Sequence, residues 1–176
     1  MAAIGSSRRS IAGIILAVAG ALLLIDVILG FAGVMALGHW LTTIADLAIG
    51  VAFLILAIAS FRNTLARIAL VVAAVGFLLL ALGAVVALPS PVGTIAAVAA
   101  ALGTLVAAIV LYVGKEITNL SALVFIVTAV ILAIIVLAPL VNLALGTFGT
   151  VLALLFALGV LVTGILFARV QGERGR

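Results

Sequence analysis

Two aspartates, Asp26 and Asp46, are the residues of this chain best suited to chemistry, because each stands inside a long apolar stretch. A charged side chain at the centre of a membrane-spanning helix costs about 2.5–3.5 kcal/mol, so it is either held by a partner or used in function. Three and four positions from Asp26 there are only leucines and a glycine, so its partner must come from another helix or from water. The chemistry open to such carboxyl groups is the binding and release of a proton, a cation or a small solute.

Asp46 belongs to a short polar pattern. His39, Thr43, Asp46 and Gly50 follow one another at intervals of four, three and four residues, which places them on one face of a helix. The Thr43 hydroxyl can donate either to its own backbone or to the carboxylate. Gly50 removes bulk from this face, and we expect it to let the first helix approach closely. A hairpin folded at 38–40 would place Asp46 about 9 Å deep and Asp26 deeper.

Two interpretations of these polar residues stay open. In the first, Asp26, Asp46, Thr43 and His39 form a pocket between the first two helices that titrates or binds a solute. In the second, Asp46 is a hydrated residue at the interface, and Asp26 is a polar group that holds the two helices in register. We favour the second, because the apolar stretches contain no Lys or Arg that could pair with the acids.

Composition argues against an enzyme. The chain has no cysteine, one histidine and four acidic residues, which removes thiolate chemistry and leaves few ligands for a metal. It offers no pair of nucleophile and base. We therefore expect no catalytic residue, no cofactor and no metal. The basic residues are dispersed among four short segments rather than clustered, so we expect no nucleic-acid partner.

The elements that carry the polar residues are apolar runs long enough to cross a bilayer. Apolar residues make up 69% of the chain and charged residues 7%, whereas a soluble domain has about 25% charged residues. A spanning helix needs about 20 apolar residues, and none of the runs alternates as a membrane strand would. We predict an all-α integral membrane protein, a single domain over 1–176, with six transmembrane helices in the runs 11–34, 44–61, 68–88, 95–113, 120–140 and 151–168.

The junctions between the runs predict the orientation. All eight basic residues lie at every second junction, and the three prolines, the single Trp and the single His lie at the others. Lys and Arg in short loops resist translocation, so we expect both termini in the cytoplasm and outer turns at 38–40, 89–91 and 139–149. No proline interrupts a predicted span, unlike the broken helices of many carriers. The expected location is the bilayer of the cell membrane, for a bacterium its inner membrane.

The sequence also repeats. The second, fourth and sixth runs open with similar segments, 39–50, 92–103 and 148–159, and each segment ends in glycine. This predicts three hairpins in the same orientation, at about 11–61, 68–113 and 120–168. Small residues that favour close helix contact, within the bundle or between protomers, are Gly50, Ala99, Gly103, Ala107 and Gly159.

Three short hairpins, an arginine pair at 8–9 before the first run and an outer turn of the Leu88-Pro89…Gly103 kind resemble the HdeD family of small bacterial membrane proteins. The resemblance implies a repeated helix pair and an association with acid resistance, and it carries over no catalytic residue. The first hairpin differs from the pattern in lacking a proline at its turn. The third hairpin differs in the larger distance between Pro139 and its glycine.

The expected function is that of a small membrane protein without catalytic activity. It would be structural or stress-related, or an accessory subunit of a homo-oligomer or a larger membrane complex. The alternative is a proton or small-solute transporter or channel that uses Asp26 and Asp46.

Overall fold

The computed structural model describes residues 2–33, 35–59 and 61–169, which contain six α-helices and no strand. All six helices are long and apolar enough to cross a membrane. The prediction of an all-α protein with six membrane spans is therefore confirmed. The helices are α1 (Ala2–Phe31), α2 (Met35–Ala59), α3 (Thr64–Val85), α4 (Ser90–Val113), α5 (Asn119–Leu140) and α6 (Gly146–Arg169).

The six helices form a closed ring in chain order. Each helix packs against its neighbours in the sequence, and α1 completes the ring against α6. Within the described ranges, no other pair of helices makes close backbone contact. Because the connections are short, they alternate between the two ends of the ring. We call the end that holds the α2–α3 and α4–α5 loops the basic end, since Arg62 and Lys115 lie there, and the opposite end the Trp40 end.

Four phenylalanines meet across the centre of the ring. Phe53 of α2 contacts Phe77 of α3 and Phe125 of α5, and Phe125 contacts Phe167 of α6. The ring centroids are 5.9–6.1 Å apart and the rings are inclined by 61–72°, the edge-to-face geometry that aromatic pairs favour. Most of the other buried residues are alanines, whose small side chains let the helix backbones approach.

Glycines define the closest helix contacts. A Cβ on Gly103 of α4 would lie 2.6 Å from the Ala73 nitrogen of α3, and Gly76 of α3 faces the α4 backbone in return. Gly13 of α1 and Gly164 of α6 pack against each other's helix in the same reciprocal way. The two helix pairs α3–α4 and α1–α6 are therefore joined backbone to backbone.

The three glycines that end the repeated segments do not make equivalent contacts. Gly103 and Gly159 each lie against the preceding helix, Gly159 against Thr128 of α5. Gly50 instead lies against α3, where a Cβ would be 2.8 Å from Leu78 Cγ. The expectation that Gly50 admits the first helix was wrong, because α3 fills the space that the missing side chain leaves.

The two alanines that flank Gly103 at four-residue spacing differ in burial. Ala107 is fully buried, whereas Ala99 is only half-buried. Burial along this stripe therefore increases from Ala99 towards the basic end.

The first turn lies earlier in the chain than predicted. α1 ends at Phe31 and α2 begins at Met35, so the segment 38–40 is helical and the prediction of a turn there was wrong. The reason is Gly33, whose φ of 76° is a left-handed conformation that glycine adopts readily and that commonly ends a helix.

Helix α5 ends at Leu140, as the predicted span 120–140 does, but it includes Pro139 in its last turn, where the prediction placed the start of an outer turn. The proline lies so close to the helix end that α5 continues unbroken through the bilayer. The end is closed by Asn142 at φ 58°, whose N–H donates to the Pro139 carbonyl over 3.1 Å, while the Leu143 N–H donates to Ala138 over 2.9 Å.

The two loops of the basic end are tied together by Glu116. Its carboxylate accepts from the backbone N–H groups of Arg62 (3.0 Å) and Asn63 (2.8 Å). The Asn63 side chain in turn caps α3 by accepting from the Leu65 N–H over 2.9 Å. The sequence showed Glu116 only as a loop residue, and its role in joining α2–α3 to α4–α5 emerges from the structure.

Candidate functional site

The carboxylate of Asp26 is held by a residue of the next helix. Thr42 Oγ1 of α2 donates a hydrogen bond of 2.8 Å to Asp26 Oδ2 of α1. The partner therefore comes from another helix, one of the two sources that the sequence left open. Thr42 itself was not singled out. The sequence signal for Thr42 is its position beside Thr43. Adjacent side chains of a helix point to different sides, so the two hydroxyls reach different partners.

The other members of the predicted polar face form separate contacts. Thr43 Oγ1 donates to the carbonyl of His39 over 2.7 Å, the backbone alternative of the two weighed above. His39 Nε2 donates to the carbonyl of Ala84 in α3 over 3.0 Å. In the described part of the chain, no side-chain-to-side-chain hydrogen bond joins any two of Asp26, Asp46, Thr43 and His39.

Asp46 lies on the side of α2 that faces the ring interior. It precedes the buried residues Ile49 and Phe53 by three and seven positions, which places it on their helix face. Its carboxylate makes no hydrogen bond to another residue in the described ranges. His39 and Thr43, the other polar members of its predicted face, therefore do not serve as its partners.

The predicted order of depth for the two acids was wrong. The hydrogen bond to Thr42 places Asp26 level with that residue. Asp46 lies four residues further along α2, about 6 Å further from the Trp40 end. The error follows from the turn, because moving it from 38–40 to Gly33 shifts the level at which α1 and α2 face each other.

A small cavity of about 20 Å³ lies at the centre of the ring and is lined by residues of all six helices. This is room for about one water molecule. Three threonines contribute to its lining. Thr104 donates to the Ala100 carbonyl over 2.6 Å and Thr128 to the Val124 carbonyl over 2.7 Å. The buried Thr163 hydroxyl has no hydrogen-bond partner among the described residues.

The lining of the central cavity is otherwise apolar. It lies on the same inward faces of α1 and α2 that carry Asp26 and Asp46, nearer to the basic end. The described residues that line it are Leu16, Ile49, Phe53, Phe77, Thr104, Phe125, Thr128, Leu132, Phe156, Val160 and Thr163.

Within the described ranges, no three His, Asp or Glu side chains come together in a group that could hold a metal ion.

Comparison of the chain with known protein families, with curated proteins and with solved structures finds no match. The class of this protein is therefore defined by its structure: a polytopic membrane protein built from a closed ring of six helices.

Proposed function

We propose that this chain is a membrane protein without catalytic activity, whose closed helix ring is itself the functional unit. It acts as a structural or stress-related protein, or as an accessory subunit of a larger membrane complex. The observation that carries this proposal is the Asp26–Thr42 hydrogen bond, which gives the acid a structural partner on the neighbouring helix. The interior of the ring supports the same conclusion, because its central cavity of about 20 Å³ is too small for a solute beyond water.

The resemblance to the HdeD family adds a physiological direction to this proposal. The Arg8–Arg9 pair, the short hairpins and the Leu88–Pro89 turn favour a role in acid resistance. The distribution of Lys and Arg favours an orientation in the cell membrane with the basic end on the cytoplasmic side.

The experiment is complementation in host cells from which the gene has been deleted. Acid survival would be compared for cells that carry the parent chain, Asp26→Asn or Asp26→Leu. Asn keeps an oxygen that accepts from Thr42, so we expect Asp26→Asn to restore survival as fully as the parent. A well-folded Asp26→Asn protein that fails to complement would contradict the proposal, because only the titratable carboxyl group would have been removed.

A second candidate function is proton or small-solute transport. It is favoured by one specific observation: Asp26 and Asp46 both lie on the inward faces of their helices, on the Trp40 side of the threonine-lined cavity. In this case Asp26→Asn and Asp46→Asn would each abolish transport while leaving the protein folded, because Asn cannot titrate.

A further inference from the structure

A larger cavity, of about 180 Å³, lies at the basic end between the start of α1, the α4–α5 loop and the end of α6. Its polar lining comes from Arg9, Lys115, Glu116, Thr118 and Ser121. The cavity has room for several waters, or for a small oxyanion with some of them.

Contacts to Phe61 and Glu116 are among those that hold Arg9 at this cavity. Its guanidinium carbon lies 4.7 Å from the centre of the Phe61 ring, which is a cation–π contact with a buried aromatic side chain. One of its terminal nitrogens donates to the Glu116 carbonyl over 3.5 Å. Since these contacts already order the arginine, less conformational entropy is lost when it binds an anion.

Lys115 occupies a position where glycine is the usual residue. It ends α4 with φ 50°, and the Glu116 N–H donates to the Leu111 carbonyl over 3.1 Å, the pattern of a Schellman motif. A left-handed conformation is unfavourable for a lysine backbone. The choice of lysine at this position in the cavity lining is therefore not explained by the folding preference of the turn.

The start of α5 supplies hydroxyl groups and the positive end of a helix dipole. Thr118 Oγ1 caps the helix by accepting from the Ser121 N–H over 3.3 Å, and the two hydroxyls lie 2.8 Å apart. Ser121 is only 1% exposed. The acidic member of the lining, Glu116, has its carboxylate bound by the backbone N–H groups of the α2–α3 loop.

We propose that this cavity binds a phosphate group, with Arg9 and Lys115 as the cationic ligands and Thr118 and Ser121 as hydroxyl ligands. The lining contains Arg9 and Lys115 beside Glu116, whose carboxylate is already hydrogen-bonded, and oxyanions are favoured at the start of a helix. The cavity lies where α4 ends and α5 begins, the level of the phospholipid headgroups. The phosphate belongs either to a phospholipid or to soluble phosphate. The inference is independent of the function proposed above.

The test uses the full chain purified in an uncharged detergent. Binding of inorganic phosphate is measured by titration calorimetry. Binding of phosphatidylglycerol is measured by native mass spectrometry, with diacylglycerol as the phosphate-free control. The variants are Arg9→Gln and Lys115→Gly, and the matched control is Arg8→Gln, which removes the same charge from an exposed residue outside the cavity.

Arg9→Gln and Lys115→Gly should each weaken binding by about tenfold, the effect of losing one hydrogen bond to a charged group. Arg8→Gln should change it by about twofold or less, because an exposed charge is screened. Lys115→Gly keeps the test decisive if Arg9→Gln misfolds, since glycine suits the left-handed turn and should preserve or raise thermal stability.

The two probes distinguish the sources of the phosphate. Binding of inorganic phosphate that is lost in Lys115→Gly would identify a soluble ligand. Binding of phosphatidylglycerol alone, with the same loss, would identify a lipid headgroup. The proposal is overturned if neither probe binds the parent chain more tightly than diacylglycerol does. An equal loss in Arg8→Gln and Lys115→Gly would overturn it too, because net charge would then explain binding.

Discussion

The hydroxyl groups inside the helix ring differ in how their hydrogen bonds are satisfied. Thr104 and Thr128 donate to carbonyls of their own helices, and Thr42 donates to Asp26 across two helices. Thr163 has no partner in the described part of the chain, although it is only 3% exposed. A buried polar group without a partner lowers stability. Replacing these four threonines by an apolar residue is therefore expected to change the free energy of unfolding differently at each position.

Replacing Thr163 by valine should raise the free energy of unfolding by up to about 1 kcal/mol, because a methyl group replaces an unsatisfied hydroxyl of similar size. Thr104→Val is the matched control, since it removes a formed hydrogen bond, and it should lower the free energy of unfolding by about 0.5–1.5 kcal/mol. Both are measured by reversible unfolding in detergent. A loss of stability in Thr163→Val equal to that in Thr104→Val would mean that the Thr163 hydroxyl is bonded, for example to a water in the central cavity.

The Asp26–Thr42 bond can be measured by a double-mutant cycle. The cycle compares Asp26→Leu, Thr42→Val and the double variant, and we expect a favourable coupling of about 0.6–1.7 kcal/mol, the range for hydrogen bonds between membrane helices. Asp26→Asn should retain most of this energy, because its amide oxygen still accepts from the threonine. Additive losses in the cycle would show that the two side chains do not stabilise the hairpin together.

At the level of whole helices, glycine determines which pairs approach most closely. α3–α4 and α1–α6 each have a glycine on both helices at the contact, where a Cβ would meet backbone atoms of the partner. Backbone atoms cannot move aside as a flexible side chain can, so these contacts tolerate no added bulk. Dispersion between closely packed backbones stabilises helix pairs in the absence of a hydrophobic driving force.

Gly103→Ala tests the α3–α4 contact. The added Cβ would lie 2.6 Å from the Ala73 nitrogen, so α4 must shift, and overpacking of this kind lowers the free energy of unfolding by about 1–3 kcal/mol. Gly93→Ala on the same helix is the control, because no atom lies within 4 Å of its added Cβ. Alanine favours helices over glycine, so the control should gain up to about 1 kcal/mol. Similar losses at both positions would rule out a close contact specific to Gly103.

At the scale of the whole molecule, the number of helices could be predicted because the bilayer thickness sets the length of each apolar run. Each span requires about 20 apolar residues, and runs such as 68–88 and 120–140 differ from their flanks in composition. Closure of the ring by α1 and α6 was not predictable, because these helices are the most distant in sequence. The glycines of that contact, Gly13 and Gly164, look the same in the sequence as glycines that contact nothing.

The candidate site was predictable only in part, and for a geometric reason. The need of Asp26 for a partner follows from the cost of an acid in an apolar helix. The identity of that partner depends on where the hairpin turns. The turn at Gly33 brings Thr42 level with Asp26, whereas a turn at 38–40 would bring residues deeper in α2 to this position. A shift of a few residues in one loop thus changes which side chains meet.

The orientation of the molecule can be tested with single cysteines, because the chain contains no cysteine of its own. Thr64→Cys lies at the basic end and Ala144→Cys at the Trp40 end, and both positions are exposed. If the basic end is cytoplasmic, an impermeant thiol reagent should label Ala144→Cys in intact cells and leave Thr64→Cys unlabelled. Labelling of Thr64→Cys without labelling of Ala144→Cys would show that the molecule has the opposite orientation.

The central claim is that the ring is a closed structural unit and that Asp26 acts through its hydrogen bond rather than by carrying protons. The most direct measurement is the decay of a pH gradient across proteoliposomes that contain the parent chain, Asp26→Asn or no protein. We expect the same slow decay in all three samples, because the interior has room for about one water and the Asp26 carboxylate is hydrogen-bonded to Thr42. Rapid decay with the parent chain that disappears in folded Asp26→Asn would contradict it.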